Sequence, residues 1–131
     1  MAEKMFHCSV LTPEVQAFDG DVQSAILPAH DGQIGILFNR APLLCRLGAG
    51  RLRLSTDVEE HDWFIDGGFA QVIDNKVTIL TRRALRLEEI SAVDAQACLE
   101  AALKMPATDE AAARRKAEAV ASARAQLRMA R

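Results

Sequence analysis

The stretch Phe69-Ala70-Gln71-Val72-Ile73-Asp74-Asn75-Lys76-Val77-Thr78-Ile79-Leu80-Thr81 decides the fold. Two apolar runs flank Asp74-Asn75, and both of those residues tolerate left-handed φ. The segment therefore predicts two strands, Phe69–Ile73 and Lys76–Thr81, joined by a tight hairpin turn. Working back toward the N-terminus, the same grammar repeats. Phe6, Cys8 and Val10 alternate with His7 and Ser9, which is the period of a strand. Thr12-Pro13 breaks it, and Phe18-Asp19-Gly20-Asp21 reads as a turn. Residues 21–29 form a further pairing segment ending at Pro28. After the His30-Asp31-Gly32 turn, Gln33–Phe38 reads as a short buried strand. Leu43–Leu47 and Arg51–Ser55 flank Gly48-Ala49-Gly50, and Asp62–Asp66 precedes the hairpin. Short strands at this spacing predict a β-sandwich or flattened barrel of about ten strands.

Working toward the C-terminus, the composition changes near residue 88. All 7 glycines lie before it, whereas the last 44 residues hold 15 alanines and one proline. Ala/Glu/Arg-rich sequence predicts helix. Pro106-Ala107-Thr108-Asp109 is the break between two helices. Ser91 is the expected N-cap of the first, and Thr108 or Asp109 of the second. Ile90, Val93, Ala97 and Ala101 predict the buried face of the first helix, with a Glu100–Lys104 pair on another. Ala113, Ala117, Val120, Ala123, Leu127 and Ala130 predict that of the second. The expected architecture is a β domain over residues 1–87 and an antiparallel two-helix hairpin over 88–131. Alanine stripes bury little area, so the hairpin is expected to be weakly held.

Composition excludes several function classes. The chain has 131 residues, 50% hydrophobic, with Lys+Arg 16 against Asp+Glu 18 and a net charge of −2. No general basic field draws it to nucleic acid or lipid. Cys8, Cys45 and Cys98 are odd in number and widely spaced, which argues against a disulfide framework or zinc site. No apolar run has the length of a membrane span. Met1–Val10 lacks the marks of a signal or transit peptide, so neither secretion nor organelle import is expected. There is no phosphate-binding loop, metalloprotease helix or nucleophile elbow. His30-Asp31 and His61-Asp62 could each orient an imidazole, yet both read better as exposed turns. No catalytic residue, metal ligand or cofactor site is expected. One charge feature stands out. Residues 109–131 carry Arg114, Arg115, Lys116, Arg124, Arg128 and Arg131 against three acids, a net of +3. Residues 88–104 carry Glu88, Glu89, Asp94 and Glu100 against Lys104, a net of −3. The two helices should therefore attract, and the basic face could alternatively meet an acidic partner.

Two runs carry a family resemblance. Asp31-Gly32-Gln33-Ile34-Gly35-Ile36-Leu37 followed by Ala41-Pro42-Leu43-Leu44 is one. Gly67-Gly68-Phe69-Ala70-Gln71-Val72 followed by Asn75-Lys76-Val77-Thr78-Ile79-Leu80 is the other. Together with Val10, Thr12-Pro13, Phe18, Gly20 and the Ala-rich tail, they resemble the epsilon subunit of F-type ATP synthase. The resemblance implies a non-catalytic subunit of the rotary central stalk. Its β-sandwich would bind the gamma subunit and sit on the c-subunit ring. Its helices would fold down, or extend into the alpha/beta catalytic head and restrain ATP hydrolysis. It would lie peripherally on the cytoplasmic face of a bacterial plasma membrane, spanning no bilayer and binding no nucleic acid. By the same resemblance Asp31, Gln33, Asn39, Arg40 and Pro42 are interface residues, and Arg114, Arg115, Lys116, Arg124 and Arg128 form the regulatory helix face.

The chain departs from the family pattern in places. Phe38-Asn39-Arg40 stands where Pro-Gly-His is common, and Asn39 can replace glycine in a left-handed turn. Gln33 replaces a glutamate in the segment that faces the c-ring. Where some relatives bind ATP through [IL]-D-x-x-R-A, this chain has Ile90-Ser91-Ala92-Val93-Asp94-Ala95. A phosphate would there meet Asp94 rather than a cation, so ATP binding is not expected at that motif. The alternative reading is a free-standing β-sandwich that binds a small ligand or works as a cupin-like enzyme. That would need clustered His/Glu ligands, and His7, His30 and His61 are dispersed.

Overall fold

The computed structural model describes residues 4–130. Eight strands precede the helices: β1 (Phe6–Leu11), β2 (Gln16–Val22), β3 (Ser24–Ala29), β4 (Gly32–Leu37), β5 (Leu43–Ser55), β6 (Glu60–Ile73), β7 (Lys76–Leu80) and β8 (Ala84–Arg86). They form one sheet in the order β2-β1-β7-β6-β5-β3-β4, with β8 added to β6. All pairings are antiparallel except β1 with β7.

The sandwich arises because β5 and β6 are long and bent. The second half of β6 takes β7, whereas its first half takes β8. One end of each long strand thus belongs to each layer, and the layers close over one core. That core draws Phe6, Cys8 and Val10 from β1, Leu27 and Ile36 from β3 and β4, and Leu52, Trp63, Ile65, Val77 and Ile79 from the rest. The bend in β6 needs glycine. Gly68 has φ +105°, and a Cβ there would lie 1.8 Å from the Leu80 carbonyl oxygen.

The sequence reading is close but divides the chain differently. Leu43–Leu47 and Arg51–Ser55 are one strand running through Gly48–Gly50, and Asp62–Asp66 joins Phe69–Ile73 through Gly67-Gly68. Eight strands therefore stand in place of about ten. Phe18–Asp21, expected as a turn, is part of β2, with Gly20 opposite Cys8. The reversal occurs earlier, where Thr12 Oγ1 donates to the Val15 carbonyl at 3.0 Å and accepts the Val15 N–H at 3.1 Å. Pro28 lies inside β3 rather than ending it. It falls where the β3–β5 register slips between Ile26 and Ala29, a place that does not need its missing N–H.

After a 3₁₀ turn at Leu87–Glu89 come α1 (Ala92–Leu103) and α2 (Glu110–Met129). Ser91 caps α1 by accepting the Asp94 N–H at 3.2 Å, and Asp109 caps α2 by accepting the Ala112 N–H at 2.7 Å. The buried faces are rotated from those expected. In α1 Ala95 and Ala102 are buried, while Val93, Ala97 and Ala101 are exposed. In α2 Ala112, Ala123, Ala125, Gln126 and Met129 are buried, while Ala113 and Ala117 face out. With alanine on every side, hydrophobicity cannot choose the face. Glu100 accepts from Gln96 Nε2 at 3.4 Å rather than pairing with Lys104. Among the described residues no ion pair joins α1 to α2, and the opposite net charges act only at longer range. Arg131 lies outside the described residues. The hairpin meets the sandwich in a small apolar cluster: Phe64 beneath Ala125 and Met129, with Ala49, Leu85, Leu87 and Ile90 around them.

Candidate partner surface

Strand register lays out in rows the outer face of the layer formed by the first half of β5, the second half of β6, β7, β1 and β2. One row runs Arg46, Phe69, Leu80, Leu11, Gln16. The next runs Leu44, Gln71, Thr78, Ser9, Asp19. The third runs Ile73, Lys76, His7, Asp21. Leu44 is 70% exposed, Phe69 53%, Leu80 52% and Ile73 45%, so four large apolar side chains on one face stand in water. At the β2 edge the face becomes acidic. Clustered exposure of this kind marks an interaction surface. Sequence reasoning missed it, although a signal was present. Phe69, Ile73 and Leu80 share strand parity with the polar Gln71, Lys76 and Thr78, while Ala70, Val72, Val77 and Ile79 occupy the core side.

The acidic edge is organised by one histidine. His7 Nε2 lies 2.7 Å from Asp19 Oδ1, and Nδ1 lies 3.1 Å from Asp21 Oδ1; Ser9 Oγ donates to the same Asp19 oxygen at 2.7 Å. The Asp19 and Asp21 hydrogen bonds raise the His7 pKa above its ordinary value. Ser9 first and His7 second lower that of Asp19. Elsewhere, Arg53 Nε donates to Asp62 at 2.8 Å, and this bond holds the Asp62 carboxyl below the usual range. His61 sits beside Phe18 with ring centroids 5.5 Å apart. Burial pushes the Cys8 thiol up to about 12, as befits a core residue.

The five candidate interface residues fall at the two ends of β4. Asp31 and Gln33 lie at the tip of the β3–β4 hairpin, both exposed. Asn39, Arg40 and Pro42 lie in the β4–β5 turn, also exposed. The structure does not bring the two groups together. It does bring Asn39 to Asn75: the Asn39 N–H donates to Asn75 Oδ1 at 2.6 Å, and Asn75 Nδ2 donates to Asn39 Oδ1 at 3.0 Å. Asn39 has φ 64°, the left-handed conformation its identity suggested. This reciprocal amide pair ties the turn to the β6–β7 hairpin, beside the apolar face. On α2, Arg114, Arg115, Arg124 and Arg128 are exposed and Lys116 is half-buried. The hairpin's one ion pair to the sandwich among the described residues is Arg46–Glu118, at 4.0 Å.

Among the described residues no group of three or more His, Cys, Asp or Glu could hold a metal ion. No helix there is long and apolar enough to cross a membrane. What the chain presents is a surface. The family profile described as ATP synthase, Delta/Epsilon chain, beta-sandwich domain matches residues 5–87. The chain belongs to the ATP synthase delta/epsilon family. The epsilon chain of Rhodopirellula baltica is 42% identical over 124 residues, which cover 95% of this chain and 97% of that one. The epsilon chain of a Synechococcus is 42% identical over 96 residues, 73% of this chain and 70% of the other. A chain of the Euglena gracilis mitochondrial ATP synthase, seen with OSCP, F1 and the c-ring, has the same fold. It matches with a TM-score of 0.79 at 24% identity, over 93% of this chain and 79% of that one. A chain of the Tetrahymena thermophila central stalk and c-ring structure matches at 0.74 and 17%, covering 93% of each. The alternative of a free-standing ligand-binding or cupin-like protein is not favoured, since the Rhodopirellula baltica epsilon chain matches along 95% of this chain.

Proposed function

We propose that this chain, a non-catalytic epsilon subunit of F-type ATP synthase, joins the central stalk through the outer face of its sandwich. The uncovered apolar group Leu44, Phe69, Ile73 and Leu80 carries this reading. It faces the gamma subunit, and the β3–β4 tip with Asp31 and Gln33 faces the c-ring. The Asn39–Asn75 tie holds Arg40 and Pro42 at the rim of the same surface. The complex is peripheral at the cytoplasmic face of a bacterial plasma membrane. The hairpin is regulatory: folded on the sandwich it is neutral, and extended it brings the α2 arginines to the alpha/beta head and restrains ATP hydrolysis.

Co-purification with alpha, beta and gamma tests the docking face. Phe69→Glu with Leu80→Glu should abolish association while the melting temperature stays within a few degrees, because both side chains already stand in water. Undiminished association of the double variant would refute the assignment of the face.

A further inference from the structure

Strands β2 and β8 each have a neighbour on one side only. Between them lies a groove of about 410 Å³. The β1–β2 turn and the start of β2 form one bank, Arg82–Arg86 the other, and Trp63 lies in its wall. The outer edge of β8 is open there. The Asp66 N–H donates to the Arg83 carbonyl at 3.2 Å. By antiparallel alternation Leu85 therefore turns its backbone groups toward β6, and Ala84 and Arg86 turn theirs away. Glu89 Oε1 meets the outward Arg86 N–H at 2.8 Å. The outward Ala84 N–H has no acceptor among the described residues. A buried donor is unmet as well. Trp63 is 4% exposed, and its Nε1 is the one buried side-chain polar atom without a hydrogen-bond partner among the described residues. Leaving such a donor alone is costly. The charge is also one-sided. The Arg86 guanidinium lies over the indole, 5.2 Å from the ring centroid. Neither it nor Arg83 has a carboxylate at ion-pair distance among the described residues, whereas Arg82 is held by Asp66 at 3.3 Å. A second cavity of about 210 Å³, which Trp63 and Arg86 also line, carries Glu60, Asp62 and Glu88 and repels acids.

We infer that the larger groove takes an extended, acidic segment of a partner protein, which adds as a strand to the open edge of β8. Strand addition uses the outward N–H and carbonyl of Ala84. Carboxylates of the segment pair with Arg83 and Arg86, and its apolar side chains cover Val15, which is 57% exposed. Drawing Arg86 off the indole opens Trp63 to the segment, which supplies the oxygen that the Nε1–H lacks. A second copy of this chain fits less well. Strand β4, at the far end of the sheet, contains no acid, and the acids of β2 are held by His7. The groove is distinct from the outer face that carries Phe69 and Leu80.

Trp63 is the only tryptophan and the chain has no tyrosine, so indole emission reports on this groove alone. The full chain is titrated with a blocked hexapeptide in which valine alternates with glutamate, and with its glutamine counterpart. The acidic peptide should give a saturable change in emission, and the glutamine peptide should bind about tenfold more weakly. Arg83→Gln should weaken binding of the acidic peptide severalfold. Ala84→Pro removes the outward N–H without touching the ladder to β6, and should abolish binding while the melting temperature stays within a few degrees. Phe69→Glu with Leu80→Glu should bind the peptide as the wild type does, so failure here is distinct from failure of the docking face. No saturable change, equal affinity for the two peptides, or undiminished binding by Arg83→Gln and Ala84→Pro overturns the inference. Dimerisation of the chain in sedimentation that Ala84→Pro removes also overturns it, and gives the groove to a second copy.

Discussion

The side chain of His7 shows how a surface residue can carry pH dependence into this fold. Its folded pKa is raised by Asp19 first and Asp21 second, while Lys76 is its neighbour on β7. The stabilisation is therefore complete below the unfolded histidine value of about 6.5 and fades as pH rises through the higher folded value. Asp19 acts at the other extreme: its lowered pKa gives a contribution lost only as acid protonates it. The melting-temperature advantage of wild type over His7→Gln should shrink between pH 6 and 9, roughly the range of histidine titration. A pH-independent difference would show that packing, not charge, accounts for it. Two further substitutions separate core from rim. Ile36 is 1% exposed, so Ile36→Asp places an unpaired charge in the core and should unfold the domain. Arg40 is exposed, and Arg40→Ala should leave thermal unfolding unchanged while weakening assembly with gamma. Calorimetric melts and a pull-down distinguish the two. At this scale the sequence was partly legible. Asn39 could be placed because left-handed φ suits few residues, and Cys8 because its strand alternates. The exposure of Phe69 and Leu80 was missed: their shared parity with Gln71, Lys76 and Thr78 marks the watery side, but their own apolar side chains read as core.

Elements were easier to recognise than to orient. The β6–β7 hairpin, both helix caps and the change from strands to helices follow from turn chemistry, capping side chains and alanine content, which are local. The continuity of β5 and β6 across their bends is not local. It depends on what packs beneath the glycines. The buried face of α2 is set by Phe64, which lies 61 residues upstream of Ala125 and belongs to the wall of the sandwich. This makes Phe64 the test of hairpin attachment. Its side chain lies outside the main core and is fully buried in the cluster with Ala125 and Met129. Phe64→Ala should therefore cost about 3 kcal/mol, the usual penalty for such a truncation, mostly from hairpin docking. Limited proteolysis should cut residues 104–109 faster, while hydrogen exchange in β1 and β7 remains slow. Uniform loss of protection would mean that hairpin and sandwich unfold as one unit.

For the whole molecule, the proposed switch is a choice between two resting places for one basic helix. Arg114, Arg115 and Arg124 are exposed, and in the folded pose none is engaged by an ion pair among the described residues. Reversing all three to glutamate should relieve inhibition of ATP hydrolysis in a reconstituted head, as removal of residues 88–131 should. Added salt should reduce inhibition by the wild type through screening. An ATPase assay that finds the triple variant as inhibitory as wild type would leave the basic face with solvation as its only role. The parallel contact between β1 and β7 has a different consequence, one of time. Cys8 faces Val77, so the first strand made must await a partner about seventy residues later. At a synthesis rate of roughly 5–20 residues per second, its open edge stays unpaired on that side for several seconds. β2 covers only the opposite edge of β1 meanwhile, and the hairpin emerges after the sheet has closed. The order of synthesis thus builds the platform first and adds the movable part last.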